Sequence, residues 1–252
     1  KYTGIAWYLY GISIETKNIK KSILAYKCSY ECLKETDEND LKGLVAFSIG
    51  SLYYREKIFS ESLKYTQLSL KYFELSGNLK YQAYATNAMV DFYFSLGYSS
   101  EKYMKLMDQS IRLAQQSGDS LIYYYTIGHK AEMLYNTDCY QAKELFLKVY
   151  PHLQSRKVNN AAYLSYLYSR LNKRDSAIYY QKIAPTSNDK IERNLYYMFK
   201  AYVYRNTGDF KQAFAALEKS FIITDSINQA TNTHQLARLD KQYDLTQKIR
   251  EN

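Results

Sequence analysis

The 252 residues carry 34 lysines and arginines against 25 aspartates and glutamates, a formal charge of +9, with 9 glycines and 2 prolines. A chain of this length exceeds one comfortable hydrophobic core and must divide into domains or extend by repetition. Scarce Gly and Pro exclude a strand-and-turn architecture; no stretch reaches the ~18 uninterrupted apolar residues of a membrane span, and the start lacks a signal-peptide pattern.

The first predicted helix is IAWYLYGISI from Ile5, and a second begins at Lys20 with KKSILAYKCSYECLKET. The pairing recurs: LVAFSIGSLYY from Leu44 precedes SESLKYTQLSLKYFELSGN from Ser60, and AYATNAMVDFYFSLG from Ala83 precedes EKYMKLMDQSIRLAQQSGD from Glu101. Within the second member of each pair, small or apolar residues recur three and four apart, as in Ser62, Leu63, Thr66, Ser69, Leu70 and Phe73. That spacing keeps one stripe on one helix face, so the face is buried. Ser76-Gly77-Asn78 and Ser117-Gly118-Asp119 then close the helices, because glycine adopts the left-handed conformation a helix end requires. Gly11, Gly50 and Ala88 sit mid-helix in the first members, where glycine costs roughly 1 kcal/mol against alanine, which predicts close approach of a neighbouring helix.

A fourth unit begins near Ile122, with Ala131 and Ala142 at small positions, and a fifth near Asn160, with Ala177 following Lys173-Arg174-Asp175. The sixth, LYYMFKAYVYRNTGDFKQAFAALEKSF from Leu195, contains both helices. Ser22, Ser62, Tyr103, Ala142, Ala177 and Ala213 correspond, separated by 40, 41, 39, 35 and 36 residues. From Asp225 the pattern changes to a polar-edged helix in which Leu236, Leu239 and Tyr243 alternate with Arg238, Asp240, Lys241 and Asp244, a cap or the start of a coiled coil through which two copies could pair. The expected division is therefore residues 1–224 as repeats and 225–252 as a terminal helix.

Catalytic and metal chemistry find no motif: there is no Gly-rich phosphate loop, H-E-x-x-H, G-x-S-x-G or CxxC. His129, His152 and His234 lack second ligands at helical or loop spacing, and Cys28, Cys32 and Cys139 read as small core residues. No cofactor is expected, nor an enzyme. Residues 1–126 hold 15 basic against 13 acidic residues and residues 127–252 hold 19 against 12, so the basic excess lies in the second half. That excess keeps a nucleic-acid-associated helical repeat open as an alternative to protein binding.

The last complete unit resembles the tetratricopeptide repeat consensus: Ala201 and Tyr204 in its first helix, Gly208-Asp209-Phe210 at its turn, and Ala213, Leu217 and Ser220 in its second. Met198 replaces the usual Trp and the closing proline is missing. The resemblance implies an all-α, right-handed superhelical solenoid of about six helical hairpins with a long C-terminal helix and a concave binding surface. Positions matching the inward row of such arrays are Phe47, Tyr54 and Arg55; Asn87 and Asp91; Glu132, Tyr135 and Asn136; Tyr166 and Arg170; then Tyr202, Arg205 and Asn206. A row of aromatics, amides and both charges suits a protein or extended peptide, with Arg170 and Arg205 matched to carboxylates.

The Tyr-rich long repeats, Thr224-Asp225-Ser226-Ile227 and Leu239-Asp240-Lys241-Gln242-Tyr243-Asp244 also resemble the sensor region of tetratricopeptide-containing membrane regulators of Bacteroidetes. That likeness implies a piece of a longer signalling protein on the periplasmic face of a membrane, with the cytoplasm as the alternative. Asp119-Ser120-Leu121, Asp175-Ser176-Ala177 and Asp225-Ser226-Ile227 resemble the O-glycosylation motif of that phylum, although Asp and Ser at such positions equally cap helices.

Overall fold

The computed structural model describes residues 1–97, 99–153, 157–184 and 188–229. These residues form helices and no strands: α1 Tyr2–Ile14, α2 Ile19–Leu33, α3 Asn39–Arg55, α4 Phe59–Ser76, α5 Leu79–Ser95, α6 Ser100–Gln116, α7 Ser120–Leu134, α8 Cys139–Val149, α9 Lys157–Arg170, α10 Arg174–Ile183 and α11 Lys190–Asn206. A further helix, α12, covers 210–229. The chain forms two compact units, Lys1–Lys130 and Ala131–Asn252.

In the first unit α1/α2, α3/α4 and α5/α6 are hairpins, and α3 packs on α2 as α5 does on α4. The small-residue register explains how closely they approach. Ser22 Oγ donates to Gly11 O at 2.8 Å, Ser62 Oγ to Gly50 O at 2.6 Å, Ser29 Oγ to Gly4 O at 2.7 Å and Ser110 Oγ to Ala83 O at 2.8 Å. Each buried serine therefore bonds a backbone carbonyl of the facing helix, satisfying a hydroxyl that would otherwise cost about 1–3 kcal/mol. A Cβ on Gly11 would lie 2.5 Å from the Tyr26 ring and one on Gly50 2.7 Å from Thr66 Oγ1, so both glycines are there for helix approach. Ala88 does not share that role: it is half-buried, and Ala83, Ala85 and Thr86 carry the tight packing of α5.

The expected turns form. Gly77 and Gly118 have φ of 70° and 69°, and Gly97, Gly208, Lys57 and Asn172 adopt the same left-handed region at other turns. Some helix starts are capped by side chains: Asn18, Asn78, Asp138 and Asp189 each accept a first-turn amide. Asp119 does so too, with Oδ1 3.1 Å from the Ile122 amide. The other two Asp-Ser triplets are not caps, since Asp175 lies in the first turn of α10 after Lys173, and Asp225 lies inside α12. The α12 helix runs through residue 225; Leu236, Leu239 and the rest of the expected terminal helix lie outside the described residues.

The second unit repeats the scheme with α9/α10, α8 packing on α9 and α11 on α9, and with α11/α12, joined where Asn194 bonds Ser220 and Thr224. Its core is one cluster including Phe146, Tyr163, Leu164, Tyr166, Leu167 and Phe199. Burial of one such side chain contributes about 1.5–3 kcal/mol. Cys32 is exposed, and Cys28 and Cys139 are half-buried, so only the latter two contribute to packing; all three are free thiols. No helix among the described residues is long and apolar enough to cross a membrane.

Candidate functional site

The residues expected on the inward row divide between the two units, and their surroundings differ. In the first unit they mostly meet each other or neighbouring side chains. Arg55 Nη1 bonds Glu15 Oε1 at 3.0 Å, across one repeat. Tyr54 packs edge-on to Phe92 at 5.2 Å and tilts against Phe59 at 5.6 Å. Phe47 is half-buried on α3 and joins neither group. Asn87 is only 4% exposed, because α7 covers it with His129. The His129 ring lies between the two α5 residues: Nδ1 is 3.0 Å from Asn87 Oδ1 and Nε2 is 3.0 Å from Asp91 Oδ1. Local spacing leaves His129 without partners, yet it follows Asn87 by 42 residues, one repeat length, and that period is the signal that locates them.

In the second unit the row is continuous and open. Tyr135 and Asn136 follow the end of α7, Tyr166 and Arg170 lie on the last turns of α9, and Tyr202, Arg205 and Asn206 lie on the last turns of α11. Tyr135 meets Tyr163, Tyr166 and Phe199 edge-on at 5.2, 5.8 and 5.8 Å. Tyr166 stacks on Phe199 at 4.6 Å, which leaves it 6% exposed, while its hydroxyl donates to Asn136 Oδ1 at 3.2 Å. Burial raises the Tyr166 phenol above its ordinary pKa, and the adjacent Arg170 charge pulls it the other way. Tyr166 therefore serves as a floor for the row rather than a contact surface. Glu132 is half-buried on α7.

Two guanidinium groups lie over tyrosines of the row, one over Tyr166 and the other over Tyr202. Arg170 sits 5.8 Å from the Tyr166 ring centroid, and its Nη1 donates to the carbonyl oxygens of Tyr135 at 3.4 Å and Asn136 at 3.3 Å. Arg205 sits 4.6 Å from the Tyr202 ring centroid and donates through Nε to Asn206 Oδ1 at 3.5 Å. Asn206 Nδ2 in turn donates to Ser169 Oγ at 2.9 Å, tying α11 to α9. Both arginines are exposed, and among the described residues neither has a carboxylate partner. A guanidinium resting on an aromatic face keeps unused N–H donors in a fixed plane, the arrangement that accepts a carboxylate with little loss of side-chain entropy. No group of three or more His, Cys, Asp or Glu among the described residues is arranged to hold a metal ion.

With this geometry established, similarity to solved structures decides the architecture. The chain superposes on the apo form of RapI with a TM-score of 0.74 at 17% identity, covering 91% of this chain and 85% of that one. It superposes on a Rap protein complexed with Competence and Sporulation Factor with a TM-score of 0.63 at 16% identity, covering 90% and 67%. The fold is a tetratricopeptide-like helical repeat. No protein-family model matches the sequence of this repeat protein. No curated protein matches it either.

Proposed function

We propose that the chain is a non-enzymatic binding module that holds a protein or extended peptide along the second-unit row, as the sensing or partner-binding region of a bacterial regulator. The observation that carries this reading is the pair of exposed arginines, Arg170 and Arg205, each laid over a tyrosine and each lacking a carboxylate partner among the described residues. An acidic side chain or a C-terminal carboxylate supplies the missing charge. Asn136, Asn206 and the exposed edge of Tyr202 lie beside it, suited to the amides and side chains of an extended segment. The Rap protein complexed with Competence and Sporulation Factor supports the idea that this architecture can accommodate a partner. The regulator context rests on the Tyr-rich repeats, Thr224-Asp225-Ser226-Ile227 and the Leu239–Asp244 pattern.

Nucleic acid is the second reading, motivated by the basic excess after residue 126. It is the weaker one at this row, because base stacking needs an open aromatic face and the Tyr166 ring is already covered by Phe199 and Arg170. The test is fluorescence anisotropy with labelled acidic, neutral and basic extended peptides, run beside single-stranded oligonucleotides at ~50 mM and higher salt. Acidic peptides should bind, and Arg170→Ala or Arg205→Ala should weaken them by about tenfold, or ~1.4 kcal/mol. Oligonucleotide binding that falls steeply with salt while every peptide fails would transfer the row to the second reading. Peptide binding indifferent to both arginines would remove the row from the site.

A further inference from the structure

The solvent-exposed side of α6 carries a donor-rich stripe that plays no part in the second-unit row. Lys102, Lys105, Gln109 and Arg112 follow one another at three- and four-residue intervals, which aligns them on one side of the helix, and all four are exposed. Met107, Ser110 and Ala114 of the same helix are buried. With Tyr93 of α5 and Leu106, the four side chains line an open pocket of about 470 Å³. The repeat register makes the stripe specific to α6 within the first unit. Corresponding places hold Lys21, Leu24, Cys28 and Glu31 on α2, and Glu61, Lys64, Leu68 and Lys71 on α4. Net charge conceals the stripe, since residues 1–126 carry 15 basic against 13 acidic residues.

Side-chain pairing decides how much of this charge is available. Asp108, which also lines the pocket, is already neutralised: Lys130 Nζ, from α7, bonds its Oδ1 at 2.6 Å. Lys105 Nζ bonds Glu101 Oε1 at 2.7 Å, but both side chains are largely exposed, and such a pair is weak enough to give way to a better acceptor. Lys102 Nζ lies 4.7 Å from the centroid of the Tyr93 ring, a contact that positions the ammonium group without supplying a counter-charge. Arg112 has no hydrogen bond, ion pair or ring contact with any described residue.

We propose that this pocket binds the phosphate group of a small phosphate ester or of pyrophosphate. A carboxylate has two acceptor oxygens, which a single guanidinium fork satisfies, whereas a phosphate ester presents three and carries about −1.5 to −2 charge at neutral pH. Two ammonium groups, one guanidinium and one amide, reaching in from points spread over about three turns of helix, suit the phosphate. The pocket is larger than a phosphate group, so the rest of an ester has room beside Tyr93 and Leu106. Only first-unit residues take part, so the proposal stands or falls independently of the second-unit row.

Isothermal titration of the full chain with inorganic pyrophosphate at about 50 mM salt tests this, with phenyl phosphate as a competitor. The wild-type chain should give a saturable single-site isotherm with a dissociation constant below about 1 mM, and phenyl phosphate should compete for it. Arg112→Gln and Lys102→Gln should each weaken binding by at least about fivefold, and Arg112→Lys by less. Lys64→Gln, which removes the same charge from the matching place on α4, should change it by less than about twofold, as should Arg170→Ala in the second-unit row. All four positions are exposed, so melting temperatures should match wild type. The proposal fails if the wild-type chain shows no saturation, or if Lys64→Gln weakens binding as much as Arg112→Gln, since diffuse charge alone then explains it. Displacement of pyrophosphate by acetate at equal concentration would also overturn it. So would displacement by a single-stranded oligonucleotide at lower concentration, which would make the stripe a nucleic-acid surface.

Discussion

The two units place residues at matching repeat positions, yet one row is closed and the other open. In the first, Arg55 is neutralised by Glu15, and Asn87 and Asp91 are joined through His129. In the second, Arg170 and Arg205 rest on tyrosines with no carboxylate partner among the described residues. Equivalent backbone positions therefore do not imply equivalent function. A polar group satisfied by its neighbour contributes to stability, whereas one left with spare donors is available to a ligand.

The difference can be tested by substitutions that separate stability from binding. The largest expected effect is Phe199→Ala, which removes the ring on which Tyr166 stacks and against which Tyr135 and Tyr163 pack. It should lower stability by about 3–5 kcal/mol in denaturant unfolding and abolish the row with it. His129→Leu should follow, at about 1–3 kcal/mol, because buried Asn87 loses its partner; peptide anisotropy should be unchanged. If binding fell with stability held, the first-unit row would be a site and the contrast would fail.

Arg170→Ala and Arg205→Ala should show the inverse: stability within about 0.5 kcal/mol of wild type, as for exposed positions, with binding of acidic peptides reduced. Arg55→Ala should move neither by more than about 1 kcal/mol, since it removes an exposed ion pair.

The smallest effect concerns pH. Asp119, in the first unit, is held below the ordinary aspartate pKa by its bond to Lys80 Nζ at 2.6 Å and by the Ile122 amide. Its folded value is depressed, so its contribution is whole above the unfolded value, about 3.9, and is lost as pH falls through the folded one. Asp119→Asn should therefore reduce the loss of melting temperature on acidification below about pH 4, with little change in that slope near neutrality.

Much of the architecture is legible without coordinates. The serine and alanine register Ser22, Ser62, Ala142 and Ala177 recurs at buried positions, and Gly77 and Gly118 close helices as their conformational freedom suggests. Periodicity and turn chemistry are local, and local rules survive into the folded chain. The site was less legible because row membership is settled by partners a whole repeat away. His129 meets Asn87 at a separation of 42 residues, Arg55 meets Glu15 at 40, and Asn206 meets Ser169 at 37.

The sequence by itself determined the helical hairpins and the turns that close them, because these follow from the 3.6-residue period and from glycine at turns. Only the tertiary structure decided that Tyr166 forms a floor, that Asn87 is enclosed and that Arg170 and Arg205 remain open. Those outcomes depend on which side chains neighbouring helices bring within bonding distance, and no spacing within a single helix contains that information.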